Sequence, residues 1–233
     1  MREPLPAPSG PGRPGGSRGP APGGARRQPE PTAPAGILPL MSREPRPFGV
    51  RAKIASLLSG GETPPVGHPL RLLHPLLPRG AQLWGAGRPS YPDEPPSRDA
   101  VEGGVRAWRE ADIALVVSLI EDWEVPRRAP GLFEALAREG LGVRRFPIAD
   151  FGVPADGPAF GRLLDEVGRR LSEGSGVLVH CNAGLGRTAV VLASILKAHG
   201  LAADPVTEIR RIYRSTAMEE PVQEAFVRSL ATP

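Results

Sequence analysis

From Gln82 to the C-terminus, short apolar runs rich in β-branched residues alternate with segments whose apolar positions recur every three to four residues. Ile113 to Ile120 and Gly176 to His180 read as buried strands, with shorter strands at Leu83-Trp84 and over 143 to 148. Phe160, Leu163, Leu164 and Val167 stand at helical spacing and predict a helix from Pro158 to Leu171. Further helices are predicted over 101–110, 132–138, 187–198, 205–213 and 219–230. Strand and helix in alternation imply a single α/β domain with a mainly parallel central sheet flanked by helices. Its predicted bounds are 81–233, and a domain of ~150 residues can bury an independent core.

The pattern breaks down before residue 81. Residues 1–40 hold 11 Pro, 8 Gly, 5 Arg and 5 Ala, too few large apolar side chains to offset chain entropy, so 1–41 is expected to be a disordered tail. Residues 42–80, rich in proline and leucine, are expected to be an irregular extension. The tail carries most of the chain's net charge of +4, so the domain itself is nearly neutral and its charge points to no nucleic-acid partner. Met41 opens a fresh segment and is the expected true start. No uninterrupted apolar run approaches ~20 residues, which argues against a membrane span. The N-terminus has no apolar signal core, and the single cysteine suits a reducing compartment, so a cytoplasmic location is expected.

That cysteine stands in His180-Cys181-Asn182-Ala183-Gly184-Leu185-Gly186-Arg187-Thr188, where the predicted strand turns into a predicted helix. Backbone N–H groups at a helix start lack intrahelical partners, so a tight loop there offers several donors and the positive end of the helix dipole to an anion. Gly184 and Gly186 allow the loop's amides to approach a ligand closely. Arg187 adds a planar, permanently charged fork suited to two phosphate oxygens. The same field favours thiolate over thiol at Cys181, and a thiolate facing a phosphoryl group is a nucleophile in place.

Cysteine, five residues, arginine and threonine, preceded by histidine, resemble the signature of the cysteine-based protein tyrosine and dual-specificity phosphatases. The resemblance implies a protein-tyrosine-phosphatase-like fold and a phosphocysteine at Cys181. It also implies phosphate binding by the loop Asn182, Ala183, Gly184, Leu185, Gly186 and by Arg187, with the Thr188 hydroxyl stabilising the departing thiolate. His180 would support the loop and take no part as acid or base. Ala189 departs from the family's frequent glycine. Upstream, Asp150-x-Gly152-x-Pro154 resembles the family's acid loop and makes Asp150 the candidate general acid, with Asp156 in reserve. An aspartate before the cysteine argues against the low-molecular-weight phosphatases, whose aspartate follows it. Near the C-terminus, Gln223 before Phe226-Val227 is similar to the family's closing segment and is the candidate for positioning the hydrolytic water.

Other signals fade. Asp150-Phe151-Gly152 spells the kinase metal-binding tripeptide without any other kinase motif. His68, His74 and His199 lack ligand-like spacing, so neither metal nor cofactor is expected. Glu121 and Asp122 end a predicted parallel strand, where they could steady the phosphate loop or lie in solvent. Neutral Asn182, Ala183 and Leu185 favour phosphorylated proteins or peptides, or a small phosphomonoester, as substrates, and a monomer is expected. The alternatives are an inositol-phosphate or other small-phosphomonoester phosphatase, a phosphate-binding module with little turnover, and a redox or sulfur-transfer protein, for which a second cysteine is missing.

Overall fold

The computed structural model describes residues 65–231. The tail expected over 1–41, the start expected at Met41 and the first part of the extension expected over 42–80 lie outside the described residues. Within them, five strands form one sheet: β1 (Leu70–Arg71), β2 (Gln82–Ala86), β3 (Ile113–Ser118), β4 (Gly142–Arg145) and β5 (Gly176–His180), in the order β1-β2-β5-β3-β4. All neighbours are parallel except β1, which pairs antiparallel with β2 at the edge. β1 lies within the stretch expected to be irregular, and its two residues are too few to show a period.

Among the described residues seven helices cover the sheet: α1 (Arg98–Glu110), α2 (Val125–Arg128), α3 (Leu132–Arg138), α4 (Gly157–Ser172), α5 (Arg187–Ala198), α6 (Pro205–Ile212) and α7 (Pro221–Ser229). Their starts are written in short-range chemistry. Ser97, Asp156 and Asp204 each accept a hydrogen bond from the backbone N–H three residues on, and α4 and α6 place proline in the first turn. Capping Ala159 N at 2.8 Å occupies Asp156, the reserve acid of the sequence reading.

Alternation along the strands divides the core in two. Leu83, Leu115, Val117, Val177 and Val179 pack with α4, α5 and α7, whereas Trp84, Ala86, Val116 and Leu178 pack with Val101, Val105 and Trp108 of α1 and Leu132 and Leu136 of α3. α5 is buried from Arg187 to Lys197, so no polar stripe marks it. Even Lys197 is turned to structural use, its Nζ donating to the carbonyls of Val227 at 3.1 Å and Arg228 at 2.6 Å. Among the described residues no helix is long and apolar enough to cross a membrane.

Candidate active site

The site forms where β5, buried along its whole length, ends at the loop that starts α5. Cys181 is 3% exposed, and its Sγ accepts a hydrogen bond from Gly184 N at 3.2 Å. The loop closes over the end of β2. Gly184 has φ +82°, and a Cβ there would lie 2.6 Å from backbone atoms of Ala86 and Gly87, so only glycine fits. Tyr213 Oη donates to Gly184 O at 2.7 Å, and burial pushes its phenol upward, so it stays a donor. Leu185 O accepts from Met218 N at 3.2 Å.

A second brace was invisible in the sequence. Arg88, 1% exposed, donates from Nε to Asn182 Oδ1 at 3.0 Å and from its backbone N to Asn182 O at 2.8 Å. Its other donors reach Ser90 Oγ, Asp93 O and Glu94 Oε1 at 3.0, 2.8 and 2.5 Å. The loop is therefore tied down at Asn182, Gly184 and Leu185 by three residues from two distant segments.

Arg187 is 2% exposed and meets Glu124 in a two-pronged pair, Nη1 to Oε2 at 2.7 Å and Nη2 to Oε1 at 3.1 Å. Nη1 also donates to Ile148 O at 3.1 Å, and Nη2 lies 2.9 Å from Asp150 Oδ1. Burial alone would lower the Arg187 pKa, but the hydrogen bond to Glu124 and the charges of Cys181, Glu124 and Asp150 raise it. Burial likewise opposes the Glu124 carboxylate, yet the bonds from Arg187 and Glu121 N hold it below the usual range. The carboxylate after β3 that steadies the loop is thus Glu124, at the start of α2. Of the pair singled out by sequence, Glu121 meets Glu124 through its backbone alone, donating its N–H to Oε2 at 2.8 Å and accepting from Glu124 N at 3.0 Å, and Asp122 is exposed and pairs with Arg145. The available signal was Glu124-Val125-Pro126, an acid opening a short helix just past a strand end.

The remaining candidates fall around this centre. Thr188 is fully buried, and its Oγ1 donates to Ala86 O over a long 3.4 Å. His180 is buried against the Trp108 ring, and Nδ1 is 3.1 Å from Cys181 O, which requires the proton on Nδ1. Burial pulls its pKa down to about 4, so the ring is neutral near pH 7. Gln223, also fully buried, accepts from Glu219 N at 3.0 Å and donates from Nε2 to Gly152 O at 3.3 Å. It joins the start of α7 to the segment bearing Asp150. Ala183 and Leu185 stay partly open on the loop. Among the described residues no group of three or more His, Cys, Asp or Glu side chains could hold a metal ion.

Comparison with known proteins agrees with this geometry. Residues 92–201 match a family described as "Polymorphic toxin system, DSP-PTPase phosphatase". Among solved structures, the chain is similar to kinase associated phosphatase carrying serine for its catalytic-site cysteine, at 22% identity and a TM-score of 0.59 over 71% of this chain and 94% of that one. It is also similar to Tk-PTP in its active form, at 27% identity and a TM-score of 0.50 over 64% and 90%. A third similar structure, PTPMT1 in complex with PI(5)P, has 19% identity and a TM-score of 0.51 over 63% and 87%. Fold, loop and family match converge: residues 92–201 match a DSP-PTPase phosphatase family, and the chain has the fold of the protein tyrosine and dual-specificity phosphatases.

Proposed function

We propose that this phosphatase hydrolyses phosphate monoesters of proteins or peptides through a phosphocysteine, as a tyrosine or dual-specificity enzyme. One observation carries the reading: Arg187, at the far end of the loop that begins with Cys181, meets Asp150 at 2.9 Å, which brings the candidate acid onto the phosphate loop. Cys181 thiolate attacks phosphorus in line while Asp150 gives its proton to the departing oxygen. Phosphoryl oxygens take the amides of 182 to 187 and the outer edge of Arg187, whose inner edge Glu124 holds fixed. Binding at Nη2 places those oxygens beside Asp150.

In the second step water attacks phosphorus, Asp150 accepts its proton and the sulfur leaves. Thr188, whose bond to Ala86 O is long, turns its hydroxyl toward that sulfur. Gln223 orients the water, since its amide lies against Gly186, where a Cβ would stand 2.9 Å from Nε2. Neutral loop side chains at 182, 183 and 185 support a peptide-borne phosphate. The substrate meets one protein molecule, and no step needs a cofactor.

The test is turnover of p-nitrophenyl phosphate by wild type, Cys181→Ser and Asp150→Ala, with chelator present. Activity lost in the cysteine variant and reduced by roughly 10²- to 10⁴-fold in the aspartate variant is expected. Label from ³²P-substrate should stay on acid-quenched wild type and be absent from Cys181→Ser. Pure, folded wild type that binds phosphate without turnover would leave a phosphate-binding module in its place.

A further inference from the structure

A carboxylate that the chemistry above does not use stands at the mouth of the loop. Glu219 sits in the connection between α6 and α7, and a Cβ on Gly186 would fall 2.8 Å from its Oε2. The contact is built, because three anchors fix this connection. Met218 N donates to Leu185 O at 3.2 Å, Glu219 N donates to Gln223 Oε1 at 3.0 Å, and Arg210 Nε donates to Ala217 O at 3.1 Å. Met218 has φ +63°, an uncommon backbone for a non-glycine residue, and it aims the next side chain back at the loop.

Charge at this point is unbalanced. No lysine or arginine of the described residues comes within 4.0 Å of the Glu219 carboxylate. Glu219 is exposed, yet desolvation against the loop and the negative charge of Asp150 raise its pKa, against a hydrogen bond from the Gly186 backbone and the Arg187 charge, and Glu220 adds further repulsion. Arg187 already shares its charge between Glu124 and Asp150. A substrate phosphate therefore arrives beside a carboxylate that Arg187 offsets only from a distance.

We infer that Glu219 is a charge filter: its carboxylate beside Gly186 disfavours phosphoesters with further negative charge next to the phosphorylated group, and favours phosphopeptides whose adjoining residue is basic. This rests on the reading that the loop binds substrate phosphate. One unit charge at such range changes affinity by roughly three- to tenfold, and salt screens the effect. Glu219 acts on the substrate's surroundings and takes no proton from the reacting atoms.

The experiment uses the full chain and two phosphotyrosine peptides that differ only in the residue after phosphotyrosine, arginine or glutamate. In wild type kcat/KM should favour the arginine peptide by roughly three- to tenfold at low salt. Glu219→Gln should bring the ratio toward one, and Glu219→Asp should retain most of it. A ratio that stays the same in wild type and Glu219→Gln would overturn the inference, as would wild-type preference for a polyphosphorylated inositol over both peptides. A simple packing role for Glu219 would change both peptides alike and leave the ratio fixed. Turnover of p-nitrophenyl phosphate separates the two failures: wild type active on it with an unmoved ratio sinks the filter alone, and wild type inactive on it sinks the phosphatase reading beneath it.

Discussion

A buried guanidinium is costly unless its donors find acceptors, and Arg187 finds Glu124, the Ile148 carbonyl and Asp150. Glu124→Ala leaves that charge without its main partner and should destabilise the fold by about 3–5 kcal/mol in denaturant unfolding. Glu124→Gln keeps the shape but weakens the grip, so kcat/KM on p-nitrophenyl phosphate should fall by roughly ten- to a hundredfold with a smaller stability loss. His180 makes a pH prediction of definite sign. The folded ring stays neutral down to about 4, whereas the unfolded chain takes up a proton near 6.5. Its contribution to stability is therefore complete above pH 6.5 and is lost as pH falls toward 4, by about 3 kcal/mol in all. Equilibrium unfolding across that range should show a slope that His180→Asn reduces by up to about one proton. Cys181, Arg187 and Asp150 were legible because they share short motifs. Glu124 and Arg88 were not, since each finds its loop partner 63 and 94 residues away, and nothing in a local pattern connects them.

Elements were legible in proportion to how strongly one face is buried. α3, β5 and α5 appear with the bounds their apolar runs predict, and α4 starts one residue earlier and ends one later. The run 113–120 yields a strand only to Ser118, yet Leu119 still donates to His180 O and accepts from Ile148 N, so its apolar tail stays in the sheet's path without forming a regular ladder. β1 and α2 escaped because two and four residues carry no period. The loop between β5 and α5 is the element on which most depends. Gly184→Ala would put a methyl against the Ala86 and Gly87 backbone at a positive φ, and the loop would have to lift from β2. Displacing the amides by about 1 Å should lower kcat/KM roughly a hundredfold, measurable in p-nitrophenyl phosphate kinetics alongside a lower melting temperature.

At the scale of the molecule, sheet order decides what can move. β5 pairs with both β2 and β3 and lies between two apolar layers, so the strand that carries Cys181 is held on every side. Asp150 belongs to a turn outside the sheet, fastened by Arg187 and by Gln223 at Gly152, with Phe151 exposed and at φ +59° beside it. Resistance to local opening should follow that arrangement: amide protons of 177–180 should exchange only with global unfolding, and those of 150–153 well before. The nucleophile thus outlasts its acid. In rising urea, turnover of alkyl phosphates, whose poor leaving groups need a proton, should fail first, and turnover of p-nitrophenyl phosphate should drop to the residual level of Asp150→Ala before β5 itself lets go.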